Sequence, residues 1–175
     1  MTKETIDFFD EKENFILTAN KETKYKENKE LYIRGVYIFI VNDKKEILIQ
    51  RKKEDHGKFN RWEIPSGHVK SKESFEEAAK RELREETGIS VYLKKIKIMK
   101  FEGQKEFDAF YIGSSNLLPD LKNNSEVDAF EFISLKNLLK EIRGNGSSRL
   151  FAPQLIKFLE YCEKDLNIFI NKSKI

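Results

Sequence analysis

The sequence predicts a single mixed α/β domain, and three observations predict it. Short runs rich in β-branched and aromatic residues recur along the chain. Amphipathic stretches with helix start and stop signals are interspersed among them. No linker long enough to mark a second domain interrupts the pattern, and 175 residues suffice to bury one core.

Each element follows from its own residues. Residues 1–30 are polar and rich in lysine and glutamate, with apolar clusters at Ile6, Phe8, Phe9 and at Phe15, Ile16, Leu17. They read as an N-terminal arm or short strand packed on the domain, residues 20–30 being a solvated loop. Residues 31–175 read as the domain itself. Within it Tyr32 to Val41 is a strand, Asn42-Asp43-Lys44-Lys45 a turn, and Glu46 to Gln50 a return strand, as a hairpin or adjacent pair. A loop with Asp55, His56, Gly57 and Asn60 leads to Trp62-Glu63-Ile64-Pro65-Ser66-Gly67.

Residues 74–87 predict a helix, because Ser74 and Glu77 form a capping box and Gly88 supplies the stop. Val91 to Phe101, Phe107 to Ile112 and Val127 to Ile133 predict further strands. Asn116 to Ser125 is a loop, Leu135 to Ile142 a short helix, and Gly144 to Ser148 a flexible link. An amphipathic helix from about Pro153 to Ile170 closes the chain.

Composition narrows the function. Hydrophobic residues are 39% of the chain and occur in periodic runs, which excludes a disordered chain. The net charge of +3, from 33 basic and 30 acidic residues, argues against a protein that holds nucleic acid by its overall field. The single cysteine, Cys162, excludes an internal disulfide and fits a reducing compartment. Among Ile156, Phe158 and Leu159 it reads as a buried structural thiol. No stretch approaches the roughly 18 to 20 apolar residues of a membrane span, and Met1-Thr2-Lys3-Glu4 leads into no apolar signal segment. The chain therefore reads as cytoplasmic, with no membrane partner.

The chemistry concentrates on the 74–87 helix. At about 100° per residue, Glu82, Glu85 and Glu86 fall within one arc of roughly 100°. That arc overlaps the apolar stripe of Phe75, Ala78, Ala79 and Leu83, while Lys80 and Arg84 take the outward side. Inward carboxylates repel one another and cost several kcal/mol each to desolvate unless positive charge lies among them. Mg²⁺ is held by a few carboxylates together with substrate phosphate oxygens. The pattern asks for a divalent cation and an anionic substrate.

Gly67, five residues, Glu73, seven residues, Arg81-Glu82-Leu83, one residue, Glu85-Glu86, one residue and Gly88-Ile89 together resemble the Nudix box at every defined position. The resemblance implies the Nudix fold, a mixed β-sheet sandwiched between helices (α/β/α). It also implies a hydrolase that uses Mg²⁺ or Mn²⁺ to cleave a small-molecule diphosphate, a nucleotide foremost. Gly67, Glu82, Glu85 and Glu86 would be the metal ligands, Arg81 the residue that orients carboxylates, and Glu73 a supporting group. Glu82, Glu85, Arg81 and the more distant Glu126 would form the catalytic set, with the proton acceptor left open among Glu82, Glu85 and Glu126.

Resemblance outside the box is to the branch related to isopentenyl diphosphate isomerase. It rests on Arg34 to Lys52, on Trp62 to Val69 with its Gly67-His68-Val69, on Phe9-Asp10 with Glu13-Asn14, and on Phe151-Ala152-Pro153. Those isomerases use a cysteine in the central region, whereas Cys162 lies in the closing helix, so hydrolysis is favoured. The alternatives are an isomerase-like enzyme or a non-catalytic nucleotide-sensing Nudix domain. Further candidates for contact with substrate are His68, His56, Trp62 and the aromatic set Phe107, Phe110 and Tyr111. Lys52, Lys53, Lys70 and Lys72 are placed to meet a phosphate. The region after the box, Gly103 to Phe107, has neither the proline suggestive of ADP-ribose nor the tyrosine suggestive of dinucleoside polyphosphates. The substrate and the oligomeric state, a homodimer included, stay open.

Overall fold

The computed structural model describes residues 4–21, 29–53, 62–122, 124–143 and 153–172. His56 and its loop, the 144–148 link, Phe151-Ala152 and residues 22–28 lie outside them. In chain order the elements are β1 (Thr5–Phe9), β2 (Phe15–Asn20), β3 (Ile33–Val41), β4 (Glu46–Lys52), β5 (Trp62–Glu63), β6 (Ser66–His68), α1 (Phe75–Thr87), β7 (Lys94–Phe101), β8 (Glu106–Ser114), β9 (Val127–Ser134), α2 (Leu135–Arg143) and α3 (Pro153–Lys172). Among the described residues no helix is long and apolar enough to cross a membrane.

The layering follows from the side-chain period of β3. Its even positions Val36, Ile38 and Ile40 pack with Ala78, Ala79 and Leu83 of α1. Its odd positions Phe39 and Val41 pack with Leu155, Phe158, Leu159 and Cys162 of α3. A strand covered on both faces must be apolar at successive positions, as this one is. The result is the mixed sheet between helices that the sequence predicts. Phe110 of β8 stacks on Phe158 with ring centroids 4.0 Å apart, which fixes α3 against the sheet.

One expectation changes. Tyr32 to Gln50 reads as a hairpin, yet β3 and β4 share only the pair Val41↔Ile47 beside the turn. Beyond it β3 runs parallel to β8, from Ile33↔Glu106 to Val41↔Ser114. It also takes β6 on its other edge. β4 instead pairs with β9 and β5. Each strand recruits a partner remote in sequence, so the two halves of the sheet part past the turn.

The N-terminal segment forms a β1–β2 hairpin. Ile6 and Phe8 bury against Ile33, and Phe9 bridges to Tyr32. The Arg34 guanidinium lies 4.0 Å from the Phe9 ring centroid and 5.1 Å from that of Phe75. It also pairs with Glu13 at 2.8 Å, joining the hairpin to the first turn of α1.

Candidate active site

α1 begins and ends where its caps require. The Ser74 hydroxyl accepts the Glu77 N–H while the Glu77 carboxylate accepts the Ser74 N–H. Gly88 adopts φ 73°, a left-handed conformation costly for other residues, and its N–H reaches the Arg84 carbonyl. The helix lies against β6 at two points. An Arg81 Nη2 donates to the His68 carbonyl at 2.9 Å, and the Ser66 N–H donates to Glu86 Oε2 at 3.0 Å. Five helical residues rise about 7.5 Å and two strand residues about 6.7 Å, so Arg81 to Glu86 spans Ser66 to His68. Gly67 then falls over the middle of that span, beside Glu82. A Cβ at Gly67 would land on the Glu82 carboxylate, so any other residue there must push that carboxylate aside.

The carboxylates are not left to repel one another. Arg81 donates to Glu73 Oε1 at 2.7 Å, Glu82 Oε1 at 2.6 Å and Glu85 Oε2 at 3.1 Å. From β4, Lys52 contacts the Glu86 carboxylate directly, with Glu126 at 3.1 Å and Glu63 at 3.9 Å. Gln50 Nε2 adds a 2.7 Å bond to Glu86. Burial pushes the Glu86 carboxyl well above its usual range, and the Lys52 charge pulls it back. Burial likewise raises Glu82, against Arg81. Burial alone would lower Lys52, but Glu86 and Glu63 outweigh it and hold the ammonium charged.

Glu86 is fully buried and Glu82 nearly so, whereas the Glu85 and Glu126 side chains are 43% and 56% exposed. Glu82 sits at the wall, and Glu85 and Glu126 at the rim, of a cavity of about 890 Å³ in the cleft between the two halves of the sheet, while Glu86 is buried against its lining residue Lys52. Gly67, Arg81, Glu82, Glu85 and Glu126 all line it. His68, Lys52, Lys53 and Lys70 line it as well. Lys72 does not; its backbone N–H binds Asp7.

Other candidates are spent on packing. Phe107, Phe110 and Tyr111 are buried and offer no stacking surface. Trp62 packs against the α3-side core. Cys162 is 2% exposed in that core, and burial pushes its thiol up. The sequence's one thiol is therefore not in the cavity.

The structure adds wall residues that motif reading missed: Tyr37, Glu63, Glu106, Asp108 and Gln154. Asp108 is fully buried and its carboxylate abuts Gly35, where a Cβ would overlap it. The available signal was a charged residue inside the apolar run Phe107 to Ile112. Asn124 was also missed. Its Nδ2 donates to the Glu86 carbonyl at 2.8 Å, and its Oδ1 accepts the N–H groups of Glu126 and Val127.

As they stand, no three His, Cys, Asp or Glu groups among the described residues are gathered as a metal site. The donor set nevertheless suits a hard divalent cation: carboxylate oxygens of α1 and Glu126 border one cavity, and Gly67 gives Glu82 room beside its backbone.

The layering is a mixed sheet between helices, with a capped helix that carries clustered carboxylates across from a glycine-bearing strand. A model of the NUDIX domain matches residues 31–155, and the chain belongs to that family. Over 63 residues the chain is 36% identical to the "Putative 8-oxo-dGTP diphosphatase" of Bacillus subtilis (strain 168), a stretch that covers 36% of this chain and 40% of that protein. The fold is similar to that of DR0079 from Deinococcus radiodurans, with TM-score 0.73, 20% identity and coverage of 91% and 99% of the two chains. It is also similar to the MutT protein from Methanosarcina mazei Go1, with TM-score 0.57, 26% identity and coverage of 81% and 96%. The NUDIX domain of Shewanella oneidensis NrtR, solved with ADP ribose, matches in fold with TM-score 0.52 and 13% identity over 70% and 88%.

Proposed function

We propose that the protein hydrolyses a diphosphate linkage in a nucleoside di- or triphosphate or a related nucleotide derivative. The observation that carries this reading is that Glu82 and Glu85 line one cavity, with Glu86 buried against Lys52 of the same lining, each box carboxylate held by Arg81 or Lys52. Glu82, Glu85 and Glu86, with the Gly67 carbonyl, would hold Mg²⁺ or Mn²⁺. Such an ion, when bound, lowers the pKa of water and neutralises charge on phosphate oxygens.

The chain's own residues would do the rest. Arg81 acts as a positioning residue, because its donors fix Glu73, Glu82 and Glu85. Lys52 holds Glu86 and Glu126 and keeps a positive charge in the cavity lining. Glu85 and Glu126, at the rim and partly in water, are the carboxylates suited to take a proton from the attacking water. The cavity volume accommodates a nucleotide, and the relatives named for 8-oxo-dGTP and solved with ADP ribose support that class. The single cysteine supports a cytoplasmic setting.

The test is turnover of a nucleotide panel with Mg²⁺ or Mn²⁺, with and without EDTA. Hydrolysis should require the metal and return on its addition. Full turnover in metal-free buffer, or none of any diphosphate in the panel by folded protein, would refute the reading.

A further inference from the structure

The N-terminal hairpin does more than cover the sheet. Glu4, just before β1, and Lys21, just after β2, both line the cavity, and Lys70 from the loop after β6 lines it beside them. The Glu4 carboxylate lies 3.4 Å from Lys70 Nζ and 3.8 Å from Lys21 Nζ. Neither is a close hydrogen bond, and each ammonium carries three donors, so Glu4 gathers the two by charge and leaves donors on both. Lys52 and Arg81, by contrast, are bound to box carboxylates, and Lys53 Nζ donates to the Asn124 carbonyl.

The placement is built rather than incidental. The Lys70 N–H donates to Glu73 Oε2 at 2.9 Å, and Glu73 is held in turn by Arg81. The Ser71 N–H donates to the Thr5 carbonyl at 3.0 Å, and the Lys21 N–H to the Glu4 carbonyl at 3.2 Å. Hairpin, loop and catalytic helix are thus one hydrogen-bonded frame. Lys70 lies three residues from Gly67, about 10 Å at the rise of an extended chain. Most cavity-lining charges are acidic, so two lysines on the hairpin side form a local positive site in a negative surround.

We propose that Lys21 and Lys70, gathered by Glu4, form a second anion subsite, and that it takes a substrate phosphate beyond the linkage that is cleaved. The proposal rests on the diphosphatase reading, and it makes the hairpin a determinant of specificity for substrates with an additional phosphate. Inorganic tripolyphosphate binding, measured by calorimetry in EDTA, tests the subsite without turnover. Lys21→Met and Lys70→Met should each weaken binding about fivefold or more. In turnover with Mg²⁺, the two lysine variants should raise KM for a nucleoside triphosphate several-fold more than KM for the matching diphosphate, with kcat within about twofold. Both lysine side chains are partly exposed, and unchanged melting temperatures would confirm folding. No tripolyphosphate binding by wild type, or binding unmoved within twofold by both lysine variants, overturns the subsite. Failure of the wild type to hydrolyse either nucleotide counts against the diphosphatase reading, while the binding measurements still decide the subsite.

Discussion

Asn124 and Glu126 are joined by a 2.9 Å bond from the Glu126 N–H to the Asn124 Oδ1, while the Asn124 amide caps the Glu86 carbonyl at 2.8 Å. One side chain thereby sets the distance between the end of α1 and a carboxylate that the sequence places 40 residues on from Glu86. Glu126 also reaches Lys52 at 3.1 Å. The rim of the site is held from both sides.

Asn124→Ala should therefore act on catalysis through Glu126. It removes a helix-end cap and two acceptor contacts, worth about 1 to 2 kcal/mol of stability. It should lower kcat by about tenfold, roughly 1.4 kcal/mol of barrier, with KM changed less. Asn124→Asp keeps the acceptor and loses the donor to Glu86, so its kcat should fall between the two. Steady-state kinetics and thermal melts on the three proteins check this. Equal kcat in all three would remove Asn124 from the site.

Glu85→Gln and Glu86→Gln separate a rim carboxylate from a buried one. Both should reduce metal-dependent turnover by about a hundredfold or more, since ligand loss should exceed the effect of losing an outer partner. Their metal-free stabilities should differ. Glu85 is 43% exposed and its loss should be near neutral. Glu86 is fully buried against Lys52, so its loss leaves an ammonium without its main partner and should cost about 1 to 3 kcal/mol. Glu76→Gln, on an exposed pair with Lys80, should change neither property. Turnover within twofold of wild type in both box variants would reduce the helix to a solvated acidic face.

Asp7 ties the hairpin to the loop before α1 in a pH-dependent way. Burial alone would raise its carboxyl, but bonds from Thr18, Ser71 and the Lys72 N–H, with the Arg34 charge, outweigh it and hold it below its ordinary 3.8. A depressed folded pKa means stabilisation that is present above about pH 4 and lost as pH falls through the folded value. The Ser71 N–H, bonded to the Thr5 carbonyl, reports docking of the hairpin. Its exchange protection should drop on acidification in wild type. Asp7→Asn should show less protection at neutral pH and a flatter acid response. A wild-type protection profile that is flat into the acid range would contradict the assignment.

Cys162→Ala should leave turnover intact, because the thiol packs in the α3-side core and lies outside the cavity. The lost sulfur should cost about 1 kcal/mol or somewhat more. Abolished turnover in a folded Cys162→Ala protein would revive a thiol mechanism and the isomerase-like alternative.

The sequence by itself determined the elements and the chemistry that one helix carries. Caps are local: Ser74, Glu77 and Gly88 declare the ends of α1 from four-residue neighbourhoods. Spacing on a helix is local too, so Glu82, Glu85 and Glu86 could be put on one arc before any tertiary contact was known. Alternation in β7 and β9 and the apolar, aromatic run of β8 are equally short-ranged, which is why these strands were legible within a few residues.

Pairing between distant segments is another matter. That β3 leaves β4 for a parallel partner at Glu106–Ser114 depends on which long-range contacts bury both faces, and nothing near Tyr32 to Gln50 encodes it. The same parting opens the cavity, brings Asp108 and Gln154 to its wall, and sends Lys52 across to Glu86. The sequence could count inward carboxylates and infer repulsion. Only the tertiary structure showed that Arg81 and Lys52 divide them between two cations, because the neutralising charge of Lys52 comes from a strand more than thirty residues away from Glu86.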